Sequence, residues 1–185
     1  MVLTKDTMIN TKLWHVKNYV ELYKFHVLLV SPGQKRPHHV HPKGLYNATN
    51  NYEELEQLIN QYPNANIGIR TGEISGISVL DFDDYENNIK SLEELGYKPP
   101  PTLKWETPHG IHYLVKYDVR IRTTQNFLPK LDIKNDKGYV LAPPSKVPCD
   151  GSKHQDNQPC NKYLYKTLHT SQENIKILPF EEWQQ

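Results

Sequence analysis

The chain has 185 residues, 37% of them hydrophobic and 23% charged, with a formal net charge of +1. That is the size of one ordinary domain, large enough to bury a core and too small for two independent ones. The longest aliphatic run, Val27 to Val30, falls far short of the roughly 18 apolar residues of a membrane span, and Met1 to Tyr19 lacks the basic start, apolar core and cleavage site of a secretory leader, so no membrane partner and a cytoplasmic location are expected.

The predicted elements alternate between helical and extended patterns, with clustered prolines as punctuation. Leu13, Val16, Tyr19, Val20 and Tyr23 recur at helical spacing and predict a helix over Leu13 to Tyr23; the β-branched, aliphatic run Val27 to Val30 predicts a buried strand. Gln34 to Thr49 reads as a long irregular loop. Asn51 is placed to cap a helix reaching about Gln61, with Glu53 and Glu54 in its first turn and Leu55, Leu58 and Ile59 as its buried stripe. Asn66 to Arg70 and Ile74 to Phe82 predict strands around Thr71-Gly72, and a short acidic helix is expected over Tyr85 to Leu95. Leu103 to Thr107, Ile111 to Tyr117, Lys130 to Lys134 and Tyr139 to Ala142 predict further strands, and a short element is expected in the tail from Gln172 onward, so the class is mixed α and β.

Three short motifs in this framework carry chemistry. In Val79-Leu80-Asp81-Phe82-Asp83, a period of two puts Asp81 and Asp83 on one strand face with Leu80 and Phe82 on the other. Paired carboxylates suit hard divalent cations such as Mg²⁺ or Mn²⁺, whose charge relieves their mutual repulsion. Thr107-Pro108-His109-Gly110-Ile111-His112 is a turn entering a strand, presenting His112 beside a glycine that permits close approach of a phosphate to the backbone. Asp132-Ile133-Lys134 places a carboxylate and an ammonium on one face, ahead of the turn Asn135 to Gly138. The stretch Lys116 to Lys137 sets six cations against three aspartates and is a candidate path for a DNA backbone.

Taken in order, these motifs resemble the primase-polymerase (prim-pol) domains of the archaeo-eukaryotic primase superfamily, the bifunctional DNA primase/polymerase N-terminal type of plasmid and phage replication proteins. Ser31 to Pro37 looks like that family's early loop, Tyr62 to Gly72 like its helix-to-strand entry, Val79 to Asp83 like its first motif, Thr107 to His112 like its second, and Asp132 to Lys134 through Gly138 to Ser145 like its third. In the second motif, His109 stands where the family usually has serine, and one of two glycines is missing. The resemblance implies an α/β (α+β), two-lobed fold spanning 1–185, with an N-terminal lobe to about residue 75, an RRM-like catalytic lobe from about 76, and the active site in the cleft. It implies a metal-dependent nucleotidyltransferase, a DNA primase and DNA-directed DNA polymerase that makes and extends primers in replication. Its substrates would be NTPs or dNTPs on a single-stranded or primed DNA template, and a helicase domain or partner would accompany it. Asp81, Asp83 and Asp132 would hold two Mg²⁺ or Mn²⁺ ions. His112 would reach the nucleotide phosphates, and Lys134, Arg70, Lys35 and Ser145 would be nucleotide or template contacts.

Other motifs point elsewhere. Cys149, His154 and Cys160, with His169, offer two sulfurs and two nitrogens, but no compact C-x₂-C pair is present and the spacing argues against zinc. His39-Val40-His41 matches the paired histidines of rolling-circle nicking enzymes, yet Pro37 and Pro42 bracket it and oppose the central strand that would align both rings. A catalytically silent single-stranded nucleic-acid binding module, using exposed tyrosines on an RRM-like sheet, is the third alternative.

Overall fold

A computed structural model describes residues 4–96, 102–148 and 164–168. The Thr4 hydroxyl accepts the Thr7 N–H and caps a helix over Lys5–Lys17 (α1), which runs on as a π-helical turn over Asn18–Leu22. The helix begins well before Leu13 because apolar spacing marks only its buried half, around Val16, Tyr19 and Val20. Its polar half is held by the cap and by the buried Lys12, whose ammonium donates to the carbonyls of Pro63 and Ala65. A strand over Val27–Val30 (β1) is buried at every residue, and the chain then runs irregularly to a helix over Tyr52–Gln61 (α2), capped as expected by Asn51 Oδ1 accepting the Glu54 N–H at 3.1 Å.

The remaining elements are strands over Asn66–Arg70 (β2) and Ile77–Phe82 (β3), a helix over Tyr85–Glu94 (α3), and strands over Lys104–Glu106 (β4), Ile111–Lys116 (β5), Thr124–Leu128 (β6), Leu131–Lys134 (β7), Tyr139–Ala142 (β8) and Lys166–Leu168 (β9). β6 and β9 lie outside the sequence reading. β6 is an edge strand whose three central residues are exposed and show no apolar alternation, and β9 has only three residues. Cys149, His154, Cys160, His169 and the tail from Gln172 lie outside the described residues.

Two antiparallel sheets result, one in the order β1-β2-β8 and one in the order β6-β7-β3-β5-β4-β9. β2 and β3, adjacent in sequence, belong to different sheets, and just past β2 an isolated bridge joins Gly72 to Ile77. Gly72 makes this crossing possible. Its φ is 94°, and a Cβ there would lie 2.3 Å from Asp136 Oδ1, the atom that accepts the Glu73 N–H at 3.1 Å. β8 comes back from more than sixty residues away to complete the small sheet, pairing Ile67 with Ala142 and Arg70 with Tyr139.

One core joins the sheets. Val27, Leu29, Ile67, Ile69, Val140 and Ala142 of the small sheet pack on Ile77, Val79, Leu103, Trp105 and Leu114 of the large one, closed off by α1 and α2. A second core lies on the opposite face of the large sheet, where Leu80, Phe82, Tyr113, Val115, Leu131 and Ile133 meet Leu92 of α3. Alternate residues of β3 thus feed two cores, which is why that strand reads as a nearly continuous apolar run. No described helix is long and apolar enough to cross a membrane.

Candidate active site

β3 carries Ile77 and Val79 under the small sheet, and two residues further along the same face Asp81 emerges from that cover with 22% of its side chain exposed. β3 is paired on both sides, so Asp81 has two directly opposed neighbours: His112 on β5 and Asp132 on β7. Directly opposed residues share a face with Cβ atoms about 4.5–5.5 Å apart. The register therefore builds a row, His112–Asp81–Asp132, from three segments well separated in sequence.

His112 Nε2 lies 3.3 Å from Asp81 Oδ1. The imidazole is buried, with the Trp105 ring 6.4 Å away on one side and the Tyr165 ring 5.8 Å away on another, while its Nδ1 makes no hydrogen bond among the described residues. As placed, His112 is positioned to orient Asp81. Asp132 is engaged through both oxygens: Oδ1 accepts the Asn126 N–H and Oδ2 the Lys134 ammonium, each at 2.8 Å. The Asn126 contact depends on a β-bulge, since β6 shifts register against β7 between Thr124 and Leu128 and Asn126 takes φ 50°. Desolvation pushes the Asp132 carboxyl pKa up and the Asp81 charge adds to that push, but Lys134 and the Asn126 N–H outweigh both and hold it below the usual carboxylate range.

Asp83 lies past the end of β3, with its N–H donating to Lys130 O at 2.9 Å. The Thr107–Gly110 turn presses on this strand end. Thr107 Oγ1 accepts the N–H groups of His109 and Gly110, at 3.3 and 2.9 Å, and Gly110 packs so closely on Phe82 that a Cβ would sit 1.7 Å from the Phe82 carbonyl oxygen. Gly110 therefore lets the backbone of the second motif close on that of the first. Among the described residues, no three His, Cys, Asp or Glu side chains converge tightly enough to hold a metal ion. Asp81 and Asp132 are neighbours, and Asp83 is not gathered into one cluster with them. The donor set still fits a hard cation in kind, with two opposed carboxylates and an ammonium already drawn onto one of them.

The other candidates are scattered. Arg70 and Lys35 lie on the outer side of the small sheet. The Arg70 guanidinium sits 5.0 Å from the Tyr46 ring centroid, and the Lys35 carbonyl accepts the Tyr139 hydroxyl. Ser145 is fully buried, its hydroxyl accepting the Ile67 N–H at 2.9 Å and donating to the Ile67 carbonyl at 3.0 Å, which makes it a tie between the end of β8 and β2. His39 is exposed, whereas His41 is buried with Nε2 accepting the Leu29 N–H at 2.9 Å on the free edge of β1, a nitrogen thereby committed to the fold. Tyr113 of the large sheet is buried on its rear face and offers no stacking platform.

Tyr165 escaped the sequence reading. It is buried between Leu28, Val30 and Leu141 of the small sheet and the His112 ring, and burial, with the charges of Asp81 and Asp83, pushes its phenol pKa well up. Nothing local in the sequence marks it, because the polar stretch before it has no periodicity. A cavity of ≈210 Å³ on the rear face is lined by Leu80, Leu131 and Ile133 with Arg122 among its walls; it opens away from the carboxylates, as the strand period requires.

An antiparallel sheet bearing an Asp–Asp–His row on one face, within a mixed α and β domain, is the architecture on which the comparison with known families falls. The family model for the bifunctional DNA primase/polymerase N-terminal domain (Prim-Pol) matches residues 16–179, and the chain belongs to that family. Membership gives primase/polymerase activity in general, of the nucleotidyltransferase type, in DNA replication. It implies a DNA template and nucleotide substrates, and the family generally uses divalent metals. No curated protein matches the chain.

Proposed function

We propose that this chain is a metal-dependent primase/polymerase domain that extends primers on a single-stranded or primed DNA template from NTPs or dNTPs, with Asp81, Asp132, Asp83 and His112 as its reacting centre. The observation that carries this reading is the register of β3, which faces Asp81 with Asp132 on one side and His112 on the other. Two acidic side chains directly opposed on one sheet face repel each other, and a sheet retains such a pair where a cation compensates it.

In this reading the O3′–Pα bond forms as the Pα–O bond to the leaving pyrophosphate breaks, and the 3′-hydroxyl proton is released to water. Bound Mg²⁺ or Mn²⁺ supplies activation of the primer hydroxyl and stabilisation of the departing pyrophosphate. Asp81 and Asp132 hold the ions, and Asp83 joins them from the strand end. His112 fixes the Asp81 carboxylate and is the candidate nucleotide contact of the second motif. Lys134, now paired with Asp132, would be free to turn to the triphosphate if Asp132 served as a metal ligand. The fold that goes with this is two-lobed. The strand order β7-β3-β5-β4, with α3 between β3 and β4, supports an RRM-like catalytic lobe. β8 is then a strand contributed by the C-terminal half to the N-terminal lobe.

The test is extension of a labelled primer on a DNA template with Mg²⁺ or Mn²⁺, alongside an unprimed template. Asp81→Asn and Asp132→Asn are expected to lose extension by at least about a hundredfold while unfolding at the wild-type temperature. Wild-type extension by either folded variant would overturn the assignment.

A further inference from the structure

Two cationic segments compete for a nucleic-acid strand, and the structure separates them by what each does with its charge. In 116–137, three of the six cations are held by carboxylates: Arg120 is bound to Asp118, Lys130 lies 3.5 Å from Asp84, and Lys134 lies 2.8 Å from Asp132, while Lys116 and Lys137 are exposed and make no ion pair among the described residues. Arg122 lines the rear cavity, on the face away from the carboxylates. Residues 31–50 contain Lys35, Arg36 and Lys43 and no acidic residue at all. All three are exposed and, among the described residues, none makes an ion pair.

This segment is tied to the edge of the small sheet. His38 N–H donates to Leu29 O at 2.9 Å, Leu29 N–H to His41 Nε2 at 2.9 Å, and Val27 and Thr49 exchange bonds of 2.7 and 2.9 Å, so the loop is stitched along the whole free edge of β1. It carries an aromatic as well: Tyr46 is 58% exposed with the Arg70 guanidinium against its ring. Beneath this surface the packing reaches the carboxylate row, because Leu45 and Ala48 pack in the same cluster as Tyr139 and Tyr165, and Tyr165 abuts His112.

Unpaired cations backed by an exposed tyrosine–arginine stack are the elements that bind single strands without sequence preference, the cations tracking phosphates and the ring stacking a base. We propose that residues 31–50, with Tyr46 and Arg70, form the binding surface for a single nucleic-acid strand, and that 116–137 contributes little to it. That this strand is the template rests on the polymerase reading; that it binds here does not.

Anisotropy of a fluorescent oligo-dT, measured in EDTA without nucleotide over a series of salt concentrations, separates the two. The triple variant Lys35→Ala, Arg36→Ala, Lys43→Ala is expected to lower the slope of log K against log salt by about 2, since each lost single-strand phosphate contact removes about 0.7. Tyr46→Ala is expected to weaken binding about tenfold at every salt with the slope unchanged, the mark of lost stacking. The set Lys116→Ala, Arg122→Ala, Lys137→Ala should leave the slope within about 0.5 of wild type. A larger slope change in that set than in the loop variant, wild-type binding by the loop variant, or no binding by the wild-type chain would each overturn the proposal. Asp81→Asn should bind like wild type here, so loss of extension with binding retained speaks to the catalytic reading alone.

Discussion

Replacing Gly110 by alanine adds a single carbon where the second motif crosses the end of the first. That carbon would lie 1.7 Å from Phe82 O, 2.8 Å from Phe82 C and 3.1 Å from Asp83 Cα, where ordinary contact begins at 3.4 Å. These three neighbours are all backbone, so no side chain can swing aside, and the two segments must separate by about 1.7 Å. If the turn recedes, His112 two residues later moves with it; if the strand end recedes, Asp83 moves. Misplacing a reacting group by about 1 Å costs about a hundredfold in rate. Overpacking costs about 1–3 kcal/mol, and in a domain of this size each kcal/mol lowers Tm by about 2–4 °C. Single-turnover primer extension and thermal unfolding read the two effects. Gly76→Ala is the control, because Gly76 has φ 66° and nothing within 4 Å of its added carbon, so it should lose about 1–2 kcal/mol through backbone strain and no activity. Wild-type extension and Tm in Gly110→Ala would refute the reasoning.

His41 accepts the Leu29 N–H, so the fold holds it neutral, and burial followed by the neighbouring His38 charge keeps its pKa below 6.5. The unfolded chain therefore takes up a proton first as pH falls: this contribution to stability is complete above about 6.5 and is lost as pH drops through the folded-state value. The urea midpoint should fall from pH 7 to pH 5, with a shallower fall in His41→Gln. Lys12→Met should cost about 1–3 kcal/mol in urea unfolding, by leaving the Pro63 and Ala65 carbonyls without their donor. Asn135 is fully buried and donates to the carbonyls of Asp118 and Ile121, at 3.1 and 2.5 Å; Asn135→Ala should destabilise by about 2 kcal/mol and loosen the segment before β6, read as faster amide exchange there. Lys134→Met should raise the Asp132 carboxyl pKa in the metal-free protein, read by NMR titration of the carboxyl carbon in EDTA; an unchanged titration would count against Lys134 as its charge partner.

Local signals in this chain were strong wherever one element decides its own form. β1 and β8 fall on their expected residues, α2 has its asparagine cap, and α3 its bounds to within a residue, because apolar spacing, caps and proline stops act over one or two turns. Asp81, Asp132 and His112 were legible through an ordered set of motifs that no single dipeptide spacing would have supported. β6 was not legible, since an exposed bulged edge strand needs no apolar alternation, and Tyr165 was not, since its burial comes from contacts with Leu28, Leu141 and His112. Ser145 read as a ligand contact because a hydroxyl after a Pro-Pro turn carries no mark of which way it faces; the fold turns it inward onto Ile67.

The sequence by itself determined the mixed class and the order of the elements other than β6 and β9, because these follow from side-chain chemistry and from periods of 2 and 3.6 residues along a short stretch of chain. The tertiary structure alone decided that β2 and β3 part into different sheets, that Asp132 stands opposite Asp81, and that Arg120, Lys130 and Lys134 are drawn onto carboxylates while Lys35, Arg36 and Lys43 are not. Each of those depends on pairing between strands far apart in the chain. Cross-strand register is set by the summed packing of both sheet faces, and no local stretch of sequence holds that sum.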